Sequence, residues 1–532
     1  MLEGFVPWPA DVAARYRDAG VWRGESLLVD LRRPALSDPS PLALVDDHGS
    51  LTRGELWHAV AARAQGLRAA GVGPGDRMVI QLPNSADLVI TFLACLWSGI
   101  IPVMALPGHR RAELVHIAGV SAARALCVSG NTAASADFLQ LATQVCEQVP
   151  SVEIIIEDGR RAAGVSLDES GTMPEPHEAA GSDIALFLLS GGTTGLPKLI
   201  ARTHDDYAYN IRQSSAVSDL SEDSRYLVAL PAGHNFPLGC PGLLGTLSHG
   251  GLVIMASSPS ERGAFGLARS YHPTISAVVP AVAISWMESE DRDALASLDV
   301  LQVGGARINP EVARQVRPRL GCTLQQVFGM AEGLLNYTHL DDADHIIINT
   351  QGRKVSEHDE VRVVDENDQP VPNGQVGELQ TRGPYTIRGY FAAPEHNARS
   401  FTADGFYRTG DLVRADDHGN LTVEGRSKDH INRGGEKISA EEVENFVLAH
   451  PNVVNAAAVG MPDHVLGERI CVFVETSGDV SLEELCAIFA DRGVATFKSP
   501  ERLEVLESLP LTNVGKVDKV ALRTLTATSK GQ

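Results

Sequence analysis

This chain has little positive charge for its size: 45 lysines and arginines stand against 67 aspartates and glutamates over 532 residues, a formal net charge of −22. A nucleic-acid binder would carry a basic footprint, so that class is set aside. Cysteine is sparse as well. The seven cysteines, Cys95, Cys127, Cys146, Cys240, Cys322, Cys471 and Cys486, are odd in number, scattered and never spaced as C-x-x-C. That suits a reducing compartment and supplies no zinc site, and most of them are expected to be small buried apolar side chains. The N-terminus, Met1-Leu2-Glu3-Gly4-Phe5-Val6-Pro7-Trp8, lacks a basic n-region followed by an apolar h-region, so no secretory leader and a cytoplasmic location are expected. Residues 88–106 hold no charge over nearly the length of a membrane span, yet Gly99 and Pro102 divide them. The pattern predicts a buried helix ending near Ser98 and then a core strand. No internal repeat or low-complexity tract is found.

Two common nucleotide signatures are also missing. The run Gly71-Val72-Gly73-Pro74-Gly75 precedes its strand and lacks the dinucleotide-binding spacing. A Walker A loop needs Gly-Lys followed by Ser or Thr, whereas here Pro197 precedes Lys198 and Leu199 follows it. What is present is Ser190-Gly191-Gly192-Thr193-Thr194-Gly195-Leu196-Pro197-Lys198, with three glycines, two threonines, a serine and a lysine. Such a stretch can be a plain surface turn. It can equally cradle phosphate, because glycines admit close backbone approach, successive N–H groups form an anion nest, and hydroxyls and lysine add donors.

A chain this long exceeds one compact core and suggests roughly three or four units. Residues 1–180 and 181–345 alternate helix and strand signals and are expected to form two α/β subdomains with parallel sheets. Several strands end on polar or glycine-rich sequence, His234-Asn235-Phe236 after one and Gly304-Gly305-Ala306-Arg307 after another, and such carboxyl ends are where ligands gather. Residues 346–427 read as a small β-barrel or sheet. Residues 428–532 read as a compact α+β unit, with Ser439-Ala440-Glu441-Glu442 as a helix N-cap. The whole is an α/β and α+β multidomain chain, with a large N-terminal part and a smaller C-terminal lid.

Taken together, these pieces resemble the adenylate-forming superfamily of acyl-CoA synthetases, luciferases and adenylation domains over nearly the whole chain. Residues 190–198 look like that family's phosphate loop. Gln325-Gln326-Val327-Phe328-Gly329-Met330-Ala331-Glu332 looks like its aromatic-Gly-x-Thr-Glu motif, and Tyr407-Arg408-Thr409-Gly410-Asp411 like its ribose-binding motif. Gly425-Arg426-Ser427-Lys428-Asp429 resembles the hinge, and Pro510-Leu511-Thr512-Asn513-Val514-Gly515-Lys516 the catalytic-lysine motif. Ala331 departs from the common Thr. The resemblance implies ATP and Mg²⁺, with a carboxylate attacking the α-phosphorus and pyrophosphate leaving. Ser190, Gly191, Gly192, Thr193, Thr194, Gly195 and Lys198 would hold phosphates. Gly305, Ala306, Val327, Phe328, Gly329, Met330, Asp411 and Arg426 would hold the rest of the nucleotide. Glu332 would bind the metal, Lys428 would be the hinge of a mobile C-terminal domain, and His234, Glu332 and Lys516 would be catalytic.

Adenylation domains for amino acids place an aspartate near the start of the acyl pocket. Here the stretch is His234-Asn235-Phe236-Pro237-Leu238-Gly239-Cys240, so an ammonium group would lack its counter-charge, at a cost of several kcal/mol. With Ile200-Ala201-Arg202-Thr203-His204, Leu301 to Arg307 and Phe328-Gly329-Met330-Ala331-Glu332-Gly333, it resembles the stand-alone aryl-acid ligases of siderophore biosynthesis, which make 2,3-dihydroxybenzoyl-AMP or salicyl-AMP. In that group Asn235 would bond the ortho hydroxyl, and Phe236, Ala306 and Val327 would sandwich the ring. The dihydroxybenzoate enzymes typically carry Ser and Val where this chain has Cys240 and Leu335, the salicylate enzymes Cys and Leu. Salicylate is therefore expected, with dihydroxybenzoate slower. No carrier domain is recognisable, so the acceptor is expected to be a phosphopantetheinylated aryl carrier protein supplied in trans, met by Arg433, Gly434, Gly435, Lys437 and Arg469. No membrane insertion is expected.

Three other readings remain: an aryl-CoA ligase, an oxidative luciferase-like enzyme, and a degenerate ATP-binding regulator. The joint presence of Glu332, Asp411, Arg426 and Lys516 argues against the last. If Lys516 acts in the first half-reaction, Lys516→Ala should cut adenylation by ~10²–10³, the scale of one lost transition-state donor. Thiol transfer from preformed acyl-adenylate should stay nearly intact, and equal loss of both steps would contradict the assignment.

Overall fold

The computed structural model of the chain describes residues 2–130, 135–158, 175–190, 196–308, 310–426, 430–510, 517 and 519–528. Local signals set many element ends. Thr52 caps the helix Arg53–Ala69: its hydroxyl accepts from Glu55 N at 3.2 Å, and the Glu55 carboxylate accepts from Thr52 N at 2.8 Å. Ser85 caps Ala86–Ser98, and Gly99 closes it at φ 69°, a conformation glycine adopts without strain. Residues 88–98 are all buried, which explains their uncharged sequence, and Ile101–Met104 follows as a core strand. No described helix is long and apolar enough to cross a membrane.

Two large sheets form the N-terminal part. A six-stranded sheet runs in the order Ile154–Asp158, Ala125–Ser129, Arg77–Gln81, Ile101–Met104, Ile184–Leu189, Leu199–Thr203, parallel except for its last pair. A nine-stranded sheet has a parallel centre, in which Arg225–Val228, Ile275–Val278, Val300–Gly304 and Thr323–Met330 are successive neighbours. Here the expected division at 180/181 is corrected. Leu42–Asp46 pairs in parallel with Leu252–Met255 in the second sheet, while Ile184–Leu189 and Leu199–Thr203 lie in the first. Helix–strand alternation reports element type, whereas sheet membership depends on partners far away in sequence.

Of the small barrel or sheet expected over residues 346–427, the described strands form the sheet, an open antiparallel meander: Glu360–Val364, Val376–Arg382, Tyr407–Ala415 and Leu421–Arg426. The C-terminal unit is a five-stranded sheet with helices Ala440–Val447, Leu482–Asp491 and Lys519–Thr528. It docks on the N-terminal part through a buried charge cluster. Lys498 Nζ lies 2.9 Å from Glu442 and 3.4 Å from Glu113, which is fully buried and also accepts from Ala495 N at 3.1 Å. Burying such charges is tolerable only when they are paired and hydrogen-bonded.

Candidate active site

Strand ends from both large sheets, together with a turn of the C-terminal unit, enclose a cavity of about 250 Å³. Such a position, outside the carboxyl ends of parallel strands, is the usual one for ligands in this architecture.

At one end, Ser190 N donates to Lys198 O at 2.9 Å, and Lys198 N to Ser190 Oγ at 3.1 Å. These bonds close the neck of the phosphate-type loop; Gly191, Gly192, Thr193, Thr194 and Gly195 lie outside the described residues. Lys198 Nζ stands 5.5 Å from the centre of the Tyr390 ring. Tyr390 donates to Glu332 Oε1 at 2.7 Å and lies 2.8 Å, hydroxyl to hydroxyl, from Tyr407. Burial, then the adjacent Glu332 charge, pushes the Tyr390 phenol far above its usual value, so it remains a donor. Glu332 is fixed by Ile387 N donating to its carbonyl at 2.8 Å. The next residue must be glycine: Gly333 has φ 131°, and a Cβ there would fall 2.4 Å from Thr386 Cα. Asp411 is buried, its N–H donating to Thr409 Oγ1 at 3.0 Å, and it lines the same cavity as Glu332. The Arg426 backbone pairs opposite Asp411. Lys428 and Lys516 lie outside the described residues.

At the other end, Asn235 opens the short helix Asn235–Gly239. The Tyr207 hydroxyl donates to its Oδ1 at 2.9 Å, and its Nδ2 donates to Cys240 Sγ at 3.2 Å. Burial pushes the Cys240 thiol up to about 12, so it stays protonated. Asn210 Nδ2 points at the same sulfur at 3.8 Å, and Tyr337 holds the Cys240 carbonyl at 2.6 Å. Phe236, Val327 and Leu335 line the pocket with Cys240. Gly304 and Gly329 make the space: a Cβ on Gly304 would meet the Phe236 ring at 3.0 Å, and one on Gly329 would meet Leu335 Cδ2 at 2.5 Å. Ala306 and Phe328 are not among the lining residues; Phe328 packs against the core instead.

The C-terminal unit contributes the 434–437 turn. Gly435, at φ 93°, passes so close to Val279 that a Cβ would lie 2.8 Å from Val279 Cγ1. Lys437 lines the cavity; Arg433 pairs with Glu501 at 2.9 Å and Arg469 with Asp463 at 2.8 Å. His109 also lines the cavity; burial lowers it to about 4, so it is neutral. Sequence reasoning missed His109, Tyr390 and Tyr207, single residues in no motif, although Tyr407 stood at the head of its own.

A metal here would rest chiefly on Glu332. Among the described residues no cluster of three or more His, Cys, Asp or Glu could hold one. This fits Mg²⁺, which commonly takes one or two carboxylates and completes its shell with phosphate oxygens and water.

Comparison with known proteins agrees with this arrangement. The AMP-binding enzyme family matches residues 31–391, and the AMP-binding enzyme C-terminal domain matches 442–516. A Streptomyces protein named salicylyl-CoA synthase / salicylate adenylyltransferase is 50% identical over 98% of this chain and 97% of its own length. A 2,3-dihydroxybenzoate-AMP ligase of Bacillus subtilis is 47% identical, with 98% of each chain covered. A Mycobacterium tuberculosis protein named salicyl-AMP ligase / salicyl-S-ArCP synthetase is 47% identical over 98% of this chain and 94% of its own.

His234 Nε2 lies 3.2 Å from Glu436 Oε1, joining the pocket to the C-terminal turn. Desolvation alone would lower His234, but the charge of Glu436 and its hydrogen bond together outweigh it and the net shift is upward from 6.5. Burial would raise Glu436, yet His234 holds it below 4.5. The histidine's contribution is therefore full below 6.5 and lost as pH rises through its raised value; the glutamate's is present above 4.5 and lost as pH falls through its lowered one. By NMR titration, Glu436→Gln should bring the His234 midpoint below its wild-type position; an unchanged midpoint would contradict the pairing.

Proposed function

The chain belongs to the AMP-binding enzymes, and on that premise we propose that it activates salicylate to salicyl-AMP and passes the salicyl group to a carrier-bound thiol in siderophore biosynthesis. The coarser activity, ATP-dependent adenylation of an aryl acid, follows from the family together with relatives that share half or nearly half of its residues along almost the whole chain. The chemistry asks for positioned cations and donors around a phosphoryl group whose charge grows during transfer. Lys198 and the backbone of the glycine-rich loop would meet the departing phosphates. Asp411, an acceptor-only carboxylate, suits two ribose hydroxyls, and Tyr390 keeps Glu332 oriented. Mg²⁺, held by Glu332, would neutralise phosphate charge.

The observation that carries salicylate is the wall made by Cys240 and Leu335. Cys240 is 2% exposed, and two amide groups already donate to its sulfur. A 3-hydroxyl brought there would find a weak partner and the bulk of leucine. Leaving it unsatisfied costs about 1–3 kcal/mol, on the order of ten- to a hundred-fold in preference, a moderate rejection typical of an added hydroxyl. Support for a pantetheine thiol comes from the 434–435 glycines, which bring bare backbone to the cavity mouth. Free CoA is the competing acceptor, since one relative is named as a CoA synthase. Arg433 and Arg469, each held in an ion pair, would have to meet an acidic carrier from within those pairs, and Lys437, which lines the cavity, is a third candidate.

Aryl-acid-dependent ATP–pyrophosphate exchange across a panel of benzoic acids tests the acid. Salicylate should have the highest kcat/KM, about 10–100-fold above 2,3-dihydroxybenzoate; a higher value for dihydroxybenzoate would overturn the assignment. In the transfer step, a phosphopantetheinylated aryl carrier protein should outcompete free CoA, and preference for CoA would mark an aryl-CoA ligase.

A further inference from the structure

Asn235 presents its side-chain amide to the acyl pocket, and an amide can turn either a donor or an acceptor towards a ligand. What fixes that choice lies behind it. Tyr207, on the helix His204–Val217, is fully buried and does not line the cavity. Its hydroxyl donates to Asn235 Oδ1 and so draws the carbonyl side of the amide away, while Nδ2 turns to Cys240. The hydroxyl has little freedom. The ring lies 4.8 Å beneath the Arg202 guanidinium, and Arg202 is itself held to Asp206 at 2.6 Å. Gly239 backs the hydroxyl so closely that a Cβ there would lie 2.5 Å from it. Burial pushes this phenol far above its ordinary value, so it stays a donor across the working pH range.

We propose that Tyr207 is a positioning residue that makes the acyl pocket demand a hydrogen-bond acceptor, rather than a donor, at the ortho position of the aryl acid. Asn235 Nδ2 carries two hydrogens. One is directed at Cys240 Sγ, and the other is left for a ligand atom with a lone pair. An ortho hydroxyl meets this need, because its own hydrogen can turn to the neighbouring carboxylate and leave its oxygen to accept. An ortho amine fails it: both its N–H bonds are donors, and its lone pair is delocalised into the ring. The pocket therefore separates 2-hydroxybenzoate from 2-aminobenzoate, two acids of nearly the same size, by hydrogen-bond polarity. A site built around a hydrogen bond discriminates more strongly than one built on shape.

This inference rests on the aryl-acid adenylation reading, and the test keeps the two apart. The exchange assay is run on the full-length enzyme with 2-hydroxybenzoate and 2-aminobenzoate, for wild type, Tyr207→Phe and Gly239→Ala. Tyr207→Phe keeps the ring and its stacking on Arg202 but frees the amide to reverse. Gly239→Ala displaces the hydroxyl from the opposite side. Wild type should strongly favour the hydroxy acid. In both variants the ratio of the two kcat/KM values should fall by about tenfold or more, with 2-aminobenzoate gaining relative to 2-hydroxybenzoate. A merely structural role for Tyr207 would lower both acids in the same proportion; an unchanged ratio overturns the proposal, and Gly239→Ala decides it if Tyr207→Phe does not fold. Wild-type enzyme that activates neither acid counts against the adenylation reading itself.

Discussion

A single buried guanidinium ties the two ends of the active site together. Arg202 is 0% exposed. Its Nε donates to Asp206 at 2.6 Å, and its two terminal nitrogens donate to the carbonyls of Ala331 at 3.0 Å and Tyr385 at 3.2 Å. Its face covers Tyr207. One side of this group thus fixes the turn that carries Glu332, and the other fixes the tyrosine that orients Asn235. Burial pushes the Asp206 carboxyl up, with Arg202 pulling it back. Thr203 supplies two further donors to that carboxylate, at 2.6 and 2.8 Å. A flat fork with five donors can serve all these partners at once, which an ammonium cannot. Such a pair adds little net stability, but losing one partner strands the other at a cost of about 3–5 kcal/mol. Its value here is geometric.

The C-terminal unit is held differently, with charged groups at its boundary. Lys498 sits between Glu113 of the N-terminal part and Glu442 of its own unit, and burial pushes Glu442 up despite the lysine. The His234–Glu436 pair, with side chains 38% and 28% exposed, lies at the cavity mouth. Both contacts place the 434–437 turn over the pocket. The same cavity thus joins a wall built from helices and strands of the core, where Asn235, Cys240 and Leu335 stand, to a turn of the C-terminal unit.

Much of this was legible in the sequence where the signal is local. Gly99 closes the buried helix that ends at Ser98, and Ser439 caps the helix Ala440–Val447, each at the end its chemistry demands. Asn235, Cys240, Leu335, Glu332 and Asp411 do line one cavity, although they are spread over some 180 residues: Asn235, Cys240 and Glu332 follow strand ends, while Leu335 and Asp411 sit within strands that face it. What was not legible depends on distant partners. Sheet membership of residues 42–52 and 184–203 is set by pairing across the chain. Phe328, expected at the nucleotide, packs against the core because strand alternation gives the cavity Val327 and Gly329 instead. Tyr390 and Tyr207 act through one hydroxyl each on a residue far away in sequence, and no spacing rule reports such a contact.

The central claim is that Arg202 serves the acid end and the nucleotide end as one unit. It is tested most directly by steady-state exchange kinetics of Arg202→Lys, which keeps the charge but loses the fork, on enzyme shown to unfold cooperatively. KM for salicylate and KM for MgATP should both rise by about tenfold, together with a fall in kcat, because the Asn235 and Glu332 supports loosen at once. A change in only one of the two KM values, with the other at its wild-type level, would contradict the account.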